Sequence, residues 1–408
     1  MKFSSVVYGL VNCIDLTITG PNDECGVREL LNHIFPQKVH NHIQLQILDS
    51  GLSNQLILVS CSQPHFDEPC KLLVRIYGQI TNTLVDRTME LLCMHALYEF
   101  RRRPQVHAVF NNGIVYSYIA GSTIPVCLLS LKKYRSLIAS ELAHFHSLPF
   151  RDAFLRLVTE EKDGSVCASL VNQLALFPRL REWITRLPNE LSNPKDTNRY
   201  ILDFPTVSAL QSEANTLEAL LESACSPIVL CHNDLLAGNI IVSPDENTVS
   251  FIDLEYCAFG HAAFDIGNHF CEYAGVEPTD YSKYPSLPFQ REWIKSYLLA
   301  YHNFRQVYAE EHRSMNGYCN QSTGDDRHSL DYFVTDVELD RWLREVNYFA
   351  LVAHLIWGIW AVIRATDNRQ DFDFLSYAFA RINEYFRLKS ILLATFNGDQ
   401  IPIDFVDP

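Results

Sequence analysis

The chain of 408 residues is 48% hydrophobic and 12% aromatic, enough to bury one large core or two smaller ones, and its length favours two lobes. A formal net charge of −15 argues against a general binder of nucleic acid or anionic membrane, since both call for basic patches, while leaving room for a cationic small molecule. The 12 cysteines are scattered singly between Cys13 and Cys319, without the CxxC pairs of a zinc site or the density of a disulfide scaffold, which predicts reduced thiols and a cytoplasmic protein.

Met1 to Leu16 carries one lysine and an apolar stretch broken by Asn12, with no small-residue cleavage pattern, so no signal peptide is expected. Gln44 to Ile47 and Leu56 to Ser60 read as strands on either side of Asp49-Ser50-Gly51-Leu52-Ser53-Asn54, and Leu72 to Tyr77 reads as a third. Leu84 to Tyr98 has apolar residues at helical spacings and predicts a helix packed on those strands. Val106 to Phe110 and Ile114 to Ile119 predict a hairpin across Asn111-Asn112-Gly113, so the first third reads as strands with one helix.

After Gly121 the pattern turns helical: Tyr134 to His146 predicts a helix ended by Ser147-Leu148-Pro149, and the chain enters a second lobe. Glu160 to Ser165 and Arg313 to Arg327 are weakly patterned and predict loops. Val346 to Ile363 is free of charged side chains and sits at the lower length limit of a membrane span. Asn347 and His354 interrupt it, and Trp357 and Trp360 lie in its body rather than at its ends, which predicts a buried core helix and no membrane span.

Pro227 to Cys231 is a short apolar strand leading into His232-Asn233-Asp234-Leu235-Leu236-Ala237-Gly238-Asn239. A second strand, Ile240 to Val242, a turn at Pro244-Asp245-Glu246-Asn247 and a third strand, Val249 to Ile252, then end at Asp253-Leu254-Glu255. This order sets Asp234, Asn239 and Asp253 at neighbouring strand ends. In-line phosphoryl transfer needs a carboxylate for the attacking hydroxyl and hard oxygen ligands that hold Mg²⁺ against the phosphates. The Asp234 to Asn239 spacing matches the protein-kinase pattern of base and metal ligand, and Asp253 stands where the metal-binding Asp of Asp-Phe-Gly would be. Any one of these residues alone is as well explained as a turn former or a helix cap; their order and spacing carry the reading.

The stretch from Val229 to Gly275, beginning VLCHNDLLAGNIIV, resembles the signature region of the choline/ethanolamine kinase family, and KLLVRIYG, LVDRTMELLCMHAL, DYSKYP and EVNYFALVAHLIWGIWAVIRA resemble it in the same order. The resemblance spans roughly residues 14 to 390. It implies an α+β, protein-kinase-like two-lobed fold: a small N-terminal lobe with an antiparallel β-sheet, residues 1–120, that binds nucleotide, and a larger, mostly helical C-terminal lobe, residues 121–408, that carries catalysis and the acceptor.

It also implies ATP and Mg²⁺ as cofactors, Asp234 as catalytic base, Asn239 and Asp253 as metal ligands, and Glu255 as a weaker candidate for a second ion. Arg75 would bind phosphate with Glu90 holding it, and Tyr118 and Ile119 would meet adenine. Gly51, Ser53 and Asn54 would face the phosphates, although Ser50 stands where the family usually has a further glycine. Glu272, Trp357, Trp360 and Tyr377 would line a pocket for a positively charged head group; apart from the resemblance, a Trp pair at helical spacing reads as core packing.

A primary ammonium gains from a hydrogen-bonded carboxylate, whereas a quaternary one depends on aromatic faces. The wording FIDLEY, EYAGVEPTDYSKYP and LVDRTMEL is closer to ethanolamine kinases, so ethanolamine is the expected acceptor. The alternatives are a choline kinase or aminoglycoside-type phosphotransferase, and, from another class, a catalytically inactive scaffold. A homodimer is a candidate assembly.

Overall fold

The computed structural model describes residues 10–36, 43–48, 54–61, 70–78, 84–159, 173–315, 332–366 and 372–397. The N-terminal part runs β1 (Cys13–Ile14), α1 (Glu24–Ile34), β2 (Ile43–Leu48), β3 (Asn54–Cys61), β4 (Cys70–Tyr77), α2 (Arg87–Glu99), β5 (Val106–Phe110) and β6 (Gly113–Ser117). Its strands form one sheet in the order β1-β5-β6-β4-β3-β2. The expected strands and the hairpin are present, and α2 begins at Arg87 because the Asp86 side chain caps it, accepting from the N–H groups of Thr88 and Met89.

Two features differ from expectation. The sheet is mixed, because β1 pairs parallel with β5. A second helix, α1, precedes the sheet's main strands; Asp23 caps it, and Val27, Leu30 and Leu31 form its buried stripe. The Asn111-Asn112 turn does more than reverse the chain: Asn112 accepts from the N–H of Ile18 at 3.1 Å and donates to its carbonyl at 2.8 Å, tying the N-terminal segment to the hairpin.

Beyond Gly121 come β7 (Ser122–Thr123), α3 (Lys132–Ser147), α4 (Phe150–Thr159), α5 (Leu176–Thr185), α6 (Pro194–Asp203) and α7 (Val207–Leu220). Then follow β8 (Ile228–Cys231), β9 (Ile240–Val242), β10 (Val249–Phe251), β11 (Ala258–His261), α8 (Ala262–Cys271), α9 (Leu287–Met315), α10 (Asp336–Arg364) and α11 (Phe374–Asn397). The short strands make two ribbons, β10-β9-β7 and β11-β8. Arg313 to Met315, expected in a loop, complete α9; the rest of that stretch and the Glu160 to Ser165 stretch lie outside the described residues.

The smaller core lies between the sheet and α1, around Val27, Leu30, Ile57, Val74 and Phe110. The larger is organised on α10, which is long and apolar enough to cross a membrane and whose apolar window is 100% buried within the fold. Each fully buried Leu, Ile or Phe side chain there contributes about 1.5–3 kcal/mol relative to exposure. α8 packs so closely on α10 that a Cβ on Gly267 would come within 2.4 Å of the Val346 carbonyl oxygen. This contact fixes α8, and α8 in turn fixes the loop after β8.

Candidate active site

The β8–β9 loop is shaped by side chains that satisfy its backbone. Asn233 has a φ of 66°, a left-handed value that favours glycine, and it places Asp234 at the floor of a cleft. Asp265 of α8 holds this turn: its two carboxylate oxygens accept the N–H groups of His232 and Asn233, both at 2.6 Å. His232 pins the loop to the segment just after β10 through the Ile252 carbonyl at 2.9 Å. Asn239 donates from Nδ2 to the Asp234 carbonyl at 2.8 Å and to Asp234 Oδ2 at 3.0 Å. With the amide nitrogen committed, its carbonyl oxygen is the atom left for a ligand.

Asp253 follows β10 with a φ of 61°, a second left-handed residue beside the cleft. Such positions cost about 1–3 kcal/mol each and persist where the surroundings over-determine them. Arg75 of β4 donates to Asp253 Oδ1 at 3.1 Å and pairs with Glu90 of α2. Arg87 bridges Glu90 at 2.9 Å and Glu255 at 2.8 Å, and Asn54 donates to Glu255 at 3.1 Å. Burial, then the neighbouring Glu255, pushes the Asp253 carboxyl up to about 6 against the pull of Arg75 and Arg87. Asp234 is raised well above the usual carboxylate range, by burial first and then by Asp253, Glu272 and Glu255. It retains a partly exposed face, so the enclosing protein rather than complete loss of solvent accounts for that shift.

The far wall of the same cleft is aromatic. Trp357 donates its indole N–H to Asn268 at 2.9 Å and Trp360 donates to the Tyr256 hydroxyl at 2.9 Å. The two indoles meet edge to face with centroids 5.5 Å apart, and Tyr256 lies against Trp357 at 5.2 Å. Their polar atoms are thus satisfied by protein. Glu272 is buried here and paired with Arg381 of α11, whose Nε donates to the Tyr377 hydroxyl at 2.8 Å.

One cleft of about 570 Å³ is lined by Asn54, Arg75, Glu90, Tyr118, Ile119, Asp234, Asn239, Asp253, Glu255, Glu272, Trp357, Trp360 and Tyr377. These are all the expected site residues that are described; Gly51 and Ser53 lie outside the described residues. Sequence reasoning missed Arg87, Tyr256, Asp265 and Arg381. Asp265 and Tyr256 stood inside the quoted motif and carried a signal; Arg381 had none beyond its place one turn after Tyr377.

The arrangement sets the carboxylates and amide of Asp234, Asn239 and Asp253 across one cavity from the aromatic wall and the buried carboxylate of Glu272. The choline/ethanolamine kinase family model matches residues 45–386. The chain is 33% identical over 379 residues to ethanolamine kinase 1 of Mus musculus, covering 92% of this chain and 93% of that protein. It is 29% identical over 383 residues to probable ethanolamine kinase A of Dictyostelium discoideum, covering 92% and 95%. Among solved structures, an ethanolamine kinase of Plasmodium vivax superposes with a TM-score of 0.67 at 24% identity, covering 88% of this chain and 86% of that one. A choline kinase of Cryptosporidium parvum gives 0.64 at 21%, covering 93% and 97%. These two likenesses establish the protein-kinase-like fold, and the match in sequence across most of its length places this chain in the choline/ethanolamine kinase family.

Proposed function

We propose that the protein transfers the γ-phosphate of ATP to the hydroxyl of ethanolamine, giving phosphoethanolamine and ADP, the first step of a route to phosphatidylethanolamine. The observation that carries this reading is the sharing of one cleft by Asp234, Asn239 and Asp253 on one side and Glu272, Trp357 and Trp360 on the other. Curated relatives named as ethanolamine kinases support the choice of acceptor. Residues 1–120 form the nucleotide lobe in this reading and residues 121–408 the catalytic and acceptor lobe. A cytoplasmic location belongs to the same reading.

Asp234 orients the acceptor hydroxyl and takes its proton; the upward shift of its pKa suits a base that must hold that proton. Asn239 and Asp253 fit Mg²⁺, because both offer hard oxygen atoms and Asp253 keeps 30% of its side chain exposed to the cleft. Mg²⁺ bound there neutralises charge on the transferring phosphate. Arg75, held by Glu90, supplies a planar fork to the phosphates, and Gly51, Ser53 and Asn54 are assigned to the same phosphates by the sequence resemblance alone. Tyr118 and Ile119 flank adenine. Glu272 accepts from the ammonium while Trp357, Trp360 and Tyr377 enclose it.

Steady-state assays with Mg-ATP and with ethanolamine and choline side by side test this. A higher kcat/KM for ethanolamine is expected, and equal values would overturn the acceptor assignment. Asp234→Ala should lower kcat by roughly 10²- to 10⁴-fold and leave ATP binding intact. Unchanged turnover in that variant would remove Asp234 as the base.

A further inference from the structure

The indole N–H of Trp357 and the backbone carbonyl of Asn233 converge on one side chain. Asn268 of α8 accepts from Trp357 Nε1 through its Oδ1 at 2.9 Å and donates from Nδ2 to the Asn233 carbonyl oxygen at 3.3 Å. An indole N–H can only donate and a carbonyl oxygen can only accept, so the amide has a single orientation that serves both. An ionised carboxylate of the same shape would lose the bond to Asn233, and an aliphatic side chain would lose both. Asn268 is fully buried and does not itself line the cleft.

Its two partners belong to opposite ends of the site. Asn233 sets Asp234 from a positive φ, with its N–H on Asp265 at 2.6 Å and its carbonyl on Asn268, so both of its backbone polar groups are fixed to one face of α8. Trp357 lines the aromatic side of the cleft, and Glu272 follows Asn268 by one turn at the end of the same helix. Gly267, the neighbour of Asn268, brings α8 against the backbone of α10 at Val346 and Ala350. The helix that holds the loop and the helix that carries Trp357 therefore have little room to slide past each other.

We propose that Asn268 sets the length of the acceptor. It is a positioning residue that ties the mount of the Asp234 carboxylate, which meets the hydroxyl, to the indole that encloses the ammonium. A span matched to the two carbons of ethanolamine then disfavours three. A longer amino alcohol must press on the indole or withdraw its hydroxyl from Asp234, and one buried amide bonded to both ends keeps them from parting to accommodate it. The inference rests on the ethanolamine reading above.

Steady-state kcat/KM for ethanolamine and for its linear three-carbon homologue, measured on the full chain with Mg-ATP, tests it. One methylene is worth about 10- to 200-fold in a fitted pocket, and the wild type should favour ethanolamine within that range. Asn268→Leu keeps the shape of the side chain and removes both bonds. It should lower the ratio by about ten-fold, through ethanolamine rather than the homologue, with KM for ATP unchanged. A residue that only supported the fold would lower both acceptors alike, since the ratio does not depend on the fraction of protein that is folded. An unchanged ratio in the variant, or a wild type indifferent to length, would overturn the inference. If Asn268→Leu loses its cooperative melt, Asn268→Ser, too short to reach both partners, is measured in its place against the same outcomes. A wild type that phosphorylates neither acceptor would instead remove the ethanolamine reading, and the inference with it.

Discussion

The Asp265 carboxylate of α8 accepts the backbone N–H of Asn233 at 2.6 Å, and through that contact a helix in the large core sets the position of Asp234. The other oxygen receives the N–H of His232 and lies 3.0 Å from His146 Nε2, so both ends of the carboxylate are occupied. Asn233 has to remain at positive φ, and these bonds are what oppose its relaxation. Asp265→Asn puts an amide where two N–H groups need acceptors. Bonds to a charged group contribute about 1.5–3 kcal/mol each, so the variant should melt earlier and lose kcat while KM for ATP changes little. Thermal melts with steady-state kinetics check this; a destabilised variant with wild-type kcat would show that Asp265 supports the fold without positioning the base.

The parts of the site visible in the sequence were those whose chemistry demands a local spacing. Asp234 and Asn239 bond each other five residues apart, and Trp357 and Trp360 lie one helical turn apart, so a pattern exposes them. Arg87 meets Glu255 across 168 residues and Arg381 meets Glu272 across 109, and no periodicity records such pairs. The same holds for the sheet. β1 is two residues long, too short for alternation to show, and its parallel pairing with β5 is set by the tertiary clasp of Asn112 on Ile18. Helix α1 carries ordinary helix signals in Asp23 and the Val27, Leu30, Leu31 stripe, although the strand-rich pattern that follows dominates this part of the chain.

His269 gives the acid side of the stability profile a specific source. Its Nδ1 lies 2.9 Å from the Leu235 carbonyl oxygen, which can only accept, so Nδ1 carries the hydrogen. Burial holds the imidazole down at about 4, against about 6.5 in an unfolded chain. Between those values the unfolded state binds the extra proton. The contribution is therefore fully present above about pH 6.5 and is lost as pH falls through this window toward 4, at up to about 1.4 kcal/mol per pH unit for one proton. His269→Asn can keep a donor on Leu235 and does not titrate, so its denaturant-midpoint curve should be shallower across that window. An identical slope in the variant would assign the acid sensitivity elsewhere.

Glu272 and Arg381 form a buried pair, 4% and 3% exposed, at the wall where the ammonium is placed, and this makes single and double substitutions separable. Glu272→Gln alone strands the guanidinium and should cost about 3–5 kcal/mol, the usual result of breaking a buried ion pair from one side. Arg381→Met added to it removes the stranded charge and should recover most of that stability, because an apolar chain of similar length suits the aromatic surroundings. Ethanolamine binding should not recover, since the carboxylate proposed to accept from its N–H groups is still missing. Melting curves and KM values for ethanolamine and ATP in the wild type, both single variants and the double variant form a complete cycle. Recovery of stability with a persistently raised KM for ethanolamine alone assigns Glu272 to the ammonium. Recovery of both would mean that the carboxylate served only to neutralise Arg381, and the aromatic faces of Trp357 and Trp360 would then carry the cation by themselves.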